Sequence, residues 1–400
     1  MPGEDVQKQY EAYPYPHRDP KSNAPIATLV NDLPLIGHYG FGGKNWFSGE
    51  CRILIAGGGT GDATLHLAEQ FSTANPKAEI IHLDISQASN DITQARLNHK
   101  SLENVRIVKG SLLDLPNGKL GAFDYINCSG VLHHLENPND GAKALCSALK
   151  ENGAMSIMLY GAYGRRIIYD VQNLAKMISA PGESLADRIP LVRDMLKCMP
   201  AQNPLRNQFP IIIPDNELVD RYLHVQDRAY TVAQIFDLLG SAGLKLSSFI
   251  PSANYDPVTP LPEGDLQKRI SVLPEEQKFA FAEIMCGSLD RHIFFATKKG
   301  NKTSLPDPSD FSFIPGLVAA GVRLKSMDHA NGIVFAKPFQ ERLEPIHFTI
   351  ISKMDGNKSL SEIMEACQQE SGMNEKDFKK LWLEIFRVLG SRGNIALRSS

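Results

Sequence analysis

Four hundred residues make a chain roughly two to three times the length of a typical domain, which excludes a single small module. A composition of 42% hydrophobic, 22% charged and 8% aromatic residues excludes disordered, collagen-like and rod-like classes. With 42 Lys and Arg against 45 Asp and Glu, the net charge of -3 provides no overall positive field to draw the chain to nucleic acid.

The first 50 residues are proline-broken and charged where a secretory signal would need an apolar run. No later window holds about 18 uninterrupted apolar residues, so no membrane span is expected. Tyr10, Tyr13 and Tyr15 make residues 1–50 a candidate arm or lid, with aromatic faces that attract a cation. The six cysteines stand singly, with no CxxC pair. Neither disulfides nor a cysteine zinc site is indicated, and a reducing, cytoplasmic home is the expectation.

From Arg52 the pattern changes to strands alternating with helices, the signature of a parallel sheet with crossover helices. CRILIA reads as a buried strand ending in glycines, and residues 62–71 as a helix with Leu65, Leu67, Ala68 and Phe71 on one face. AEIIHLDIS predicts a second strand and 89–100 a second helix. NVRIVKGSLLDLP gives a third strand with its loop, FDYINCSG a fourth, 140–150 a helix and GAMSIMLYG a fifth strand. Residues 163–225 read as an inserted helical cap, their helical patterns interrupted by Pro181, Pro190, Pro200, Pro204 and Pro210. A helix and strand follow in TVAQIFDLLGSAGLKLSSFIP, and a last strand near 292–297 ends the core. GNKTSLPDPSDFS has linker composition, which places a boundary near residue 300. Beyond it, AGVRLKS and GIVFAKP read as strands and 346–354, 360–368 and 375–389 as helices of a small α+β module, with a winged helix as the candidate form.

Chemistry concentrates in ILIAGGGTGDAT, where Gly57, Gly59 and Gly61 lie between a buried strand and a helix. Glycine permits a sharp turn and close ligand approach, and the following helix start offers free N–H groups. Asp84, at the end of the second strand, suits a carboxylate that accepts ribose hydroxyls, so the pair points to a nucleoside ligand. A dinucleotide is disfavoured, because Asp62 occupies the last place of the G-x-G-x-x-G pattern and would face the pyrophosphate. No Tyr-x-x-x-Lys pair for hydride transfer stands out either.

With ILIAGGGTG, LDIS, VKGSLLDLP and FDYINCSGVLHHLENP in order, the sequence resembles the class I S-adenosylmethionine-dependent methyltransferases over about residues 50–160, and more loosely over 220–300. The resemblance implies a Rossmann-like α/β sheet of seven strands over 51–300, with S-adenosyl-L-methionine as cofactor. Gly57, Gly59 and Gly61 would pass beneath the methionine part and ribose, and Asp84 would hold the ribose hydroxyls. Ile85 would pack on adenine, Ser111 and Leu112 would edge it, and Cys128 and Ser129 would line the wall near the methionine. Tyr13 joins this group as part of the lid. Ile55 and Ser111 stand where the family commonly has acidic residues, Asp114 being the nearby carboxylate to replace the second; these departures motivate an alternative reading as a non-catalytic, cofactor-binding regulator.

PIHFTIISKMDGNKSLSEI is similar to the winged-helix tail of bacterial outer-membrane-protein lysine methyltransferases, which makes 301–400 a winged-helix-like domain and a protein side chain a candidate acceptor beside small molecules with N or O nucleophiles. His133 and His134 are the candidate general bases, against a reading in which one packs and the other caps or faces solvent. Adjacent histidines point apart on a helix, so no metal site is expected. His224, Asp227, Arg228 and Tyr230 form a polar cluster that is a candidate for acceptor recognition, against a surface salt-bridge network, and Tyr15 is a further candidate contact to the acceptor, against a proline-spaced arm packed on the surface. Arg387, Arg392 and Arg398 read as a solvated face rather than a nucleic-acid site, because acidic residues balance them.

Overall fold

The computed structural model describes residues 4–24, 30–318, 332–335 and 341–399. Two helices precede the sheet, α1 (Glu4–Ala12) and α2 (Leu33–Phe41). Alternation then runs β1 (Arg52–Ala56), α3 (Asp62–Ala74), β2 (Glu79–Asp84), α4 (Gln87–His99), β3 (Val105–Lys109), β4 (Phe123–Ser129), α5 (Pro138–Ala148) and β5 (Leu149–Tyr160). The central strands are continuous apolar runs because helices cover both faces of the sheet; Ile53, Leu54, Ile80, Ile81 and Ile126 are all fully buried. Local signals set the helix starts, as where the Ser86 hydroxyl accepts a hydrogen bond from the Ser89 amide at the head of α4.

Residues 162–222 form the cap, with α6 (Ala162–Ile178), α7 (Leu185–Cys198), α8 (Leu205–Gln208) and α9 (Asp215–Tyr222) around their own core of Ile168, Val192, Leu196, Leu218 and Tyr222. The chain returns through α10 (Val232–Ser241), β6 (Leu244–Phe249), α11 (Asp265–Ser271), α12 (Glu275–Cys286) and β7 (Arg291–Lys298). A capping box between Thr231 and Gln234 opens α10. The sheet order is β3-β2-β1-β4-β5-β7-β6, parallel except for β7, which runs antiparallel to both neighbours. This is a seven-stranded, Rossmann-like α/β sheet. Its order reverses between β1 and β4, and that switch point opens a crevice at the strand C-terminal ends.

The C-terminal residues supply β8 (Ile314–Leu317), β9 (Ile333–Phe335), β10 (Glu341–Leu343), α13 (Phe348–Ile351), α14 (Leu360–Ser371), α15 (Glu375–Leu389) and β11 (Ile395–Arg398). Two antiparallel pairs, β8 with β11 and β9 with β10, flank the helices. Trp382 is fully buried among Phe378, Ile385 and Leu360, and its indole N–H donates to the Pro308 carbonyl at 2.7 Å. The helix expected over 346–354 divides into a 3-10 turn at Pro345–His347 and the short α13. The strand expected in AGVRLKS lies outside the described residues. Sequence periodicity also missed α2, which is apolar on every side because it is buried on every side: it packs against β5 and β7 and also meets β11. Among the described residues no helix is long and apolar enough to cross a membrane.

Candidate active site

A cavity of about 1240 Å³ occupies the switch-point crevice, between the C-terminal ends of β1, β2 and β4, the N-terminal arm and the cap. Its floor is the turn after β1. Gly57 has φ +75°, and a Cβ there would stand 2.4 Å from a Val131 methyl. Gly59 has φ +53°, and its Cβ would stand 2.7 Å from the Tyr15 carbonyl, so the arm lies directly over the loop. The Thr60 hydroxyl donates to the Pro16 carbonyl at 2.7 Å and fastens the same crossing.

Asp84 ends β2 beside this floor. One carboxylate oxygen accepts from the Gly59 amide at 2.8 Å and the other from the Ser86 amide at 2.9 Å. Burial nevertheless pushes its carboxyl above the usual range, partly offset by these amides. Asp62 is the first residue of α3 and is held by the Arg18 guanidinium, through Nε at 2.9 and 3.0 Å, and by Arg96 Nη1 at 2.9 Å. Burial works against its ionisation, but the Arg18 and Arg96 bonds prevail and hold its carboxyl below the usual range. A carboxylate at this helix start occupies the place a phosphate would need.

Of the candidate residues, Gly57, Gly59, Asp84, Ile85, Ser111, Leu112 and Tyr15 line the cavity. Gly61, Cys128 and Tyr13 do not. Gly61 is the N-cap of α3 and faces Thr93, and Tyr13 packs against the cap core. Cys128 is fully buried with Leu54 and Leu132, since strand alternation turns its neighbours Asn127 and Ser129 toward the cavity and Cys128 away. Asp114 is exposed on a 3-10 turn and is not in the wall. Arg228 is also exposed and outside the wall: it donates to the Leu135 and Glu136 carbonyls, bracing the loop after β4.

His133 and His134 share a 3-10 turn rather than an α-helix, so their rings do not diverge but meet at 4.2 Å between centroids. Both are buried, and neither faces solvent. His133 stacks on the Tyr160 ring at 3.8 Å and lies behind the wall, while His134 lines the cavity. The His134 Nδ1–H donates to the Gln226 carbonyl at 2.8 Å, which leaves the Nε2 lone pair available. Burial lowers the proton affinity of His134, and that of His133 still more, so both rings are neutral near pH 7.

Sequence reasoning missed Asp220, which projects from α9 into the same wall and is 4% exposed. The Gln226 amide donates to His224 Nδ1 at 3.0 Å, so the neutral His224 ring carries its proton on Nε2 and gives it to the Tyr10 hydroxyl at 3.1 Å. Tyr10 in turn donates to Asp220 Oδ1 at 3.0 Å, and the Tyr160 hydroxyl meets Oδ2 at 3.3 Å. Burial takes His224 down to about 2 and pushes Asp220 up. The ligand atoms of His134, Asp220 and His224 lie within 4.8 Å of one another, the spacing of a metal site. The rings do not fit one: they stack at 3.8 Å with planes 16° apart, so their in-plane lone pairs do not converge, and His224 has a proton where the metal would bind.

Residues 54–155 match a family described as a methyltransferase domain. An uncharacterized protein of Synechococcus sp. is 29% identical over 304 residues, which are 72% of this chain and 70% of that one. An uncharacterized protein of Rickettsia prowazekii is 35% identical over 80 residues, 20% of this chain and 30% of that one. Among solved structures, PKMT2 from Rickettsia typhi in complex with AdoHcy superposes with a TM-score of 0.69 at 17% identity, over 95% of this chain and 78% of that one. The likeness extends the shared fold through the cap and the C-terminal residues. The glycine floor and the Asp84 carboxylate both lie within residues 54–155, the stretch that matches the methyltransferase-domain family.

Proposed function

We propose that the chain transfers a methyl group from S-adenosylmethionine to a nitrogen of a protein side chain, a lysine ε-amine. The observation that carries this reading is the continuity of one cavity from the Gly59–Asp84 cradle to the buried polar wall beneath the cap. The cradle fits the cofactor: a Cβ at position 57 or 59 would fill it, Asp84 presents carboxylate oxygens, and the Asp62 carboxylate disfavours a phosphate. The tail sequence supports a protein lysine acceptor through its similarity to lysine methyltransferase tails.

In this reading Asp84 accepts the ribose hydroxyls, Gly57 to Gly59 run beneath the ligand, Ile85 packs on adenine, and Ser111 and Leu112 edge it. Tyr10 and Tyr15 close the arm over the bound cofactor and exclude water, which strengthens the electrostatics inside. The cofactor supplies a methyl already activated on a sulfonium, so the protein contributes mainly alignment of the acceptor along the line of attack.

Calorimetric titration with S-adenosylhomocysteine, followed by incubation with tritiated S-adenosylmethionine and cell-envelope protein, tests the proposal. Micromolar binding and a labelled protein band are expected. Absence of binding would overturn the cofactor site, and binding with no labelled protein would favour the regulatory alternative.

A further inference from the structure

We infer that Asp220 is the catalytic residue on the acceptor side: its carboxylate receives the ammonium end of a lysine-type primary amine and takes the proton that the amine must lose before it can attack. The inference rests on the methyltransferase reading and names the group that makes its acceptor reactive.

A free alkylamine has a pKa of about 10.4, so at neutral pH its nitrogen is protonated and has no lone pair to offer. A site that methylates it has to attract a cation and then remove a proton. Asp220 is placed for both. The neighbouring carboxylates are already matched: Asp62 pairs with Arg18 and Arg96, Asp227 with Arg165 at 2.9 Å, and Glu217 with Arg221. Asp220 is buried in the cavity wall with no Lys or Arg partner among the described residues, held only by the Tyr10 and Tyr160 hydroxyls. An isolated buried carboxylate is costly unless a cation joins it, and the space it faces is the cavity itself.

Of the other groups around it, His134 keeps its Nε2 lone pair but, being neutral, brings no charge to draw a cation. The arm contributes Tyr10 and Tyr15, and the turn after β4 contributes His134, with His133 behind. Tyr160 ends β5, and its ring is sandwiched by His133 at 3.8 Å and by the Arg165 guanidinium at 3.4 Å, which fixes its hydroxyl on Asp220 and leaves no ring face for a ligand. Arg165 from α6 has its charge engaged by Asp227 and the ring. Arg221 on α9 engages Glu217. His224 is committed to Tyr10 and is neutral. Burial raises the proton affinity of Asp220, which brings it toward that of the amine it would deprotonate.

In the step, one N–H bond of the ammonium breaks, its electron pair stays on nitrogen and the proton moves to an Asp220 oxygen. The neutral amine then attacks the methyl carbon with that pair, while the pair of the breaking carbon–sulfur bond returns to sulfur. A methylated ammonium, a protonated Asp220 and a neutral thioether result, so the net charge of +1 is conserved. Asp220 returns its proton to solvent when product leaves.

The test uses the full chain saturated with S-adenosylhomocysteine and n-butylammonium chloride as probe, read by saturation-transfer NMR, with n-butanol as the neutral comparison. Wild type should bind the ammonium and not the alcohol, and Asp220→Asn should weaken the ammonium at least tenfold while S-adenosylhomocysteine affinity stays within threefold. With tritiated S-adenosylmethionine and poly-L-lysine, Asp220→Asn should lower turnover at pH 7 at least a hundredfold, with residual rate rising tenfold per pH unit as solvent deprotonation takes over. Asp220→Glu should recover part of the turnover. Equal ammonium binding by wild type and Asp220→Asn, or an unchanged pH profile, would overturn the assignment of Asp220. Failure of S-adenosylhomocysteine to bind wild type would instead overturn the methyltransferase reading beneath it.

Discussion

The Gly59 amide donates to the Asp84 carboxylate at 2.8 Å, tying the turn after β1 to the end of its neighbour β2 beside the switch point. The same carboxylate is the acceptor proposed for the ribose, so in that proposal one group both shapes the floor and would hold the ligand. Asp84→Asn keeps the volume but puts an amide where two acceptor oxygens stand, and S-adenosylhomocysteine affinity should fall by about 1.5–3 kcal/mol, the worth of a charged hydrogen bond. The pH dependence has a definite sign. Because burial raises the Asp84 carboxyl, protonation begins at a higher pH than for an exposed aspartate, and affinity should decline as pH falls through that raised value. Calorimetry at a series of pH values checks this, and a flat profile in wild type would contradict it.

Gly59→Ala addresses the crossing of the arm over the loop. A left-handed backbone costs a non-glycine residue about 1–2 kcal/mol, and the new Cβ would also stand 2.7 Å from the Tyr15 carbonyl. Backbone cannot yield as a flexible side chain can, so the arm should lift. The variant should lose S-adenosylhomocysteine affinity at least tenfold and become sensitive to proteolysis near residues 13–18, with the core otherwise folded by circular dichroism.

These two residues were legible because their signals are local. The apolar run of β1, the glycines after it and the acidic end of β2 each lie within a few residues of sequence, and the sheet follows from repeating that pattern. Asp220 gave no such signal: it lies on an amphipathic helix, where a carboxylate reads as solvent-facing, and its phenol partner Tyr10 is 210 residues away. Tertiary packing alone turns it inward. Cys128 misled for a simpler reason, since the motif gave the right strand and alternation chose the opposite face. The histidine pair misled because the motif does not specify a 3-10 turn.

Glu283 illustrates a buried acid with a structural task. One of its oxygens accepts from the Val232 amide at the start of α10 at 2.9 Å, and the other lies 3.1 Å from His292 Nε2, whose Nδ1 meets the Tyr255 hydroxyl at 2.7 Å. Glu283→Ala leaves that amide without its partner in an interior where an unsatisfied donor costs about 1–3 kcal/mol. The denaturation midpoint should drop accordingly while S-adenosylhomocysteine affinity at 25 °C is retained. Lost affinity at full stability would place Glu283 in the binding machinery instead.

His38 joins α2 to the C-terminal strand, its Nδ1 accepting from the Leu397 amide at 3.0 Å. Burial takes its pKa down to about 4. The folded state therefore favours the neutral ring, whereas an unfolded histidine titrates near 6.5. Its contribution is fully present above the unfolded value and is lost as pH falls from about 6.5 toward 4, amounting to about 3 kcal/mol by proton linkage. The loss should appear first at β11, because a protonated Nδ1 cannot accept the Leu397 bond. Hydrogen exchange of the Leu397 amide should quicken between pH 7 and pH 5, relative to Trp382 in α15. His38→Asn supplies an acceptor oxygen that does not titrate in this range, so it should remove most of that acceleration; acceleration unchanged in the variant would mean that another group controls the docking of the strand.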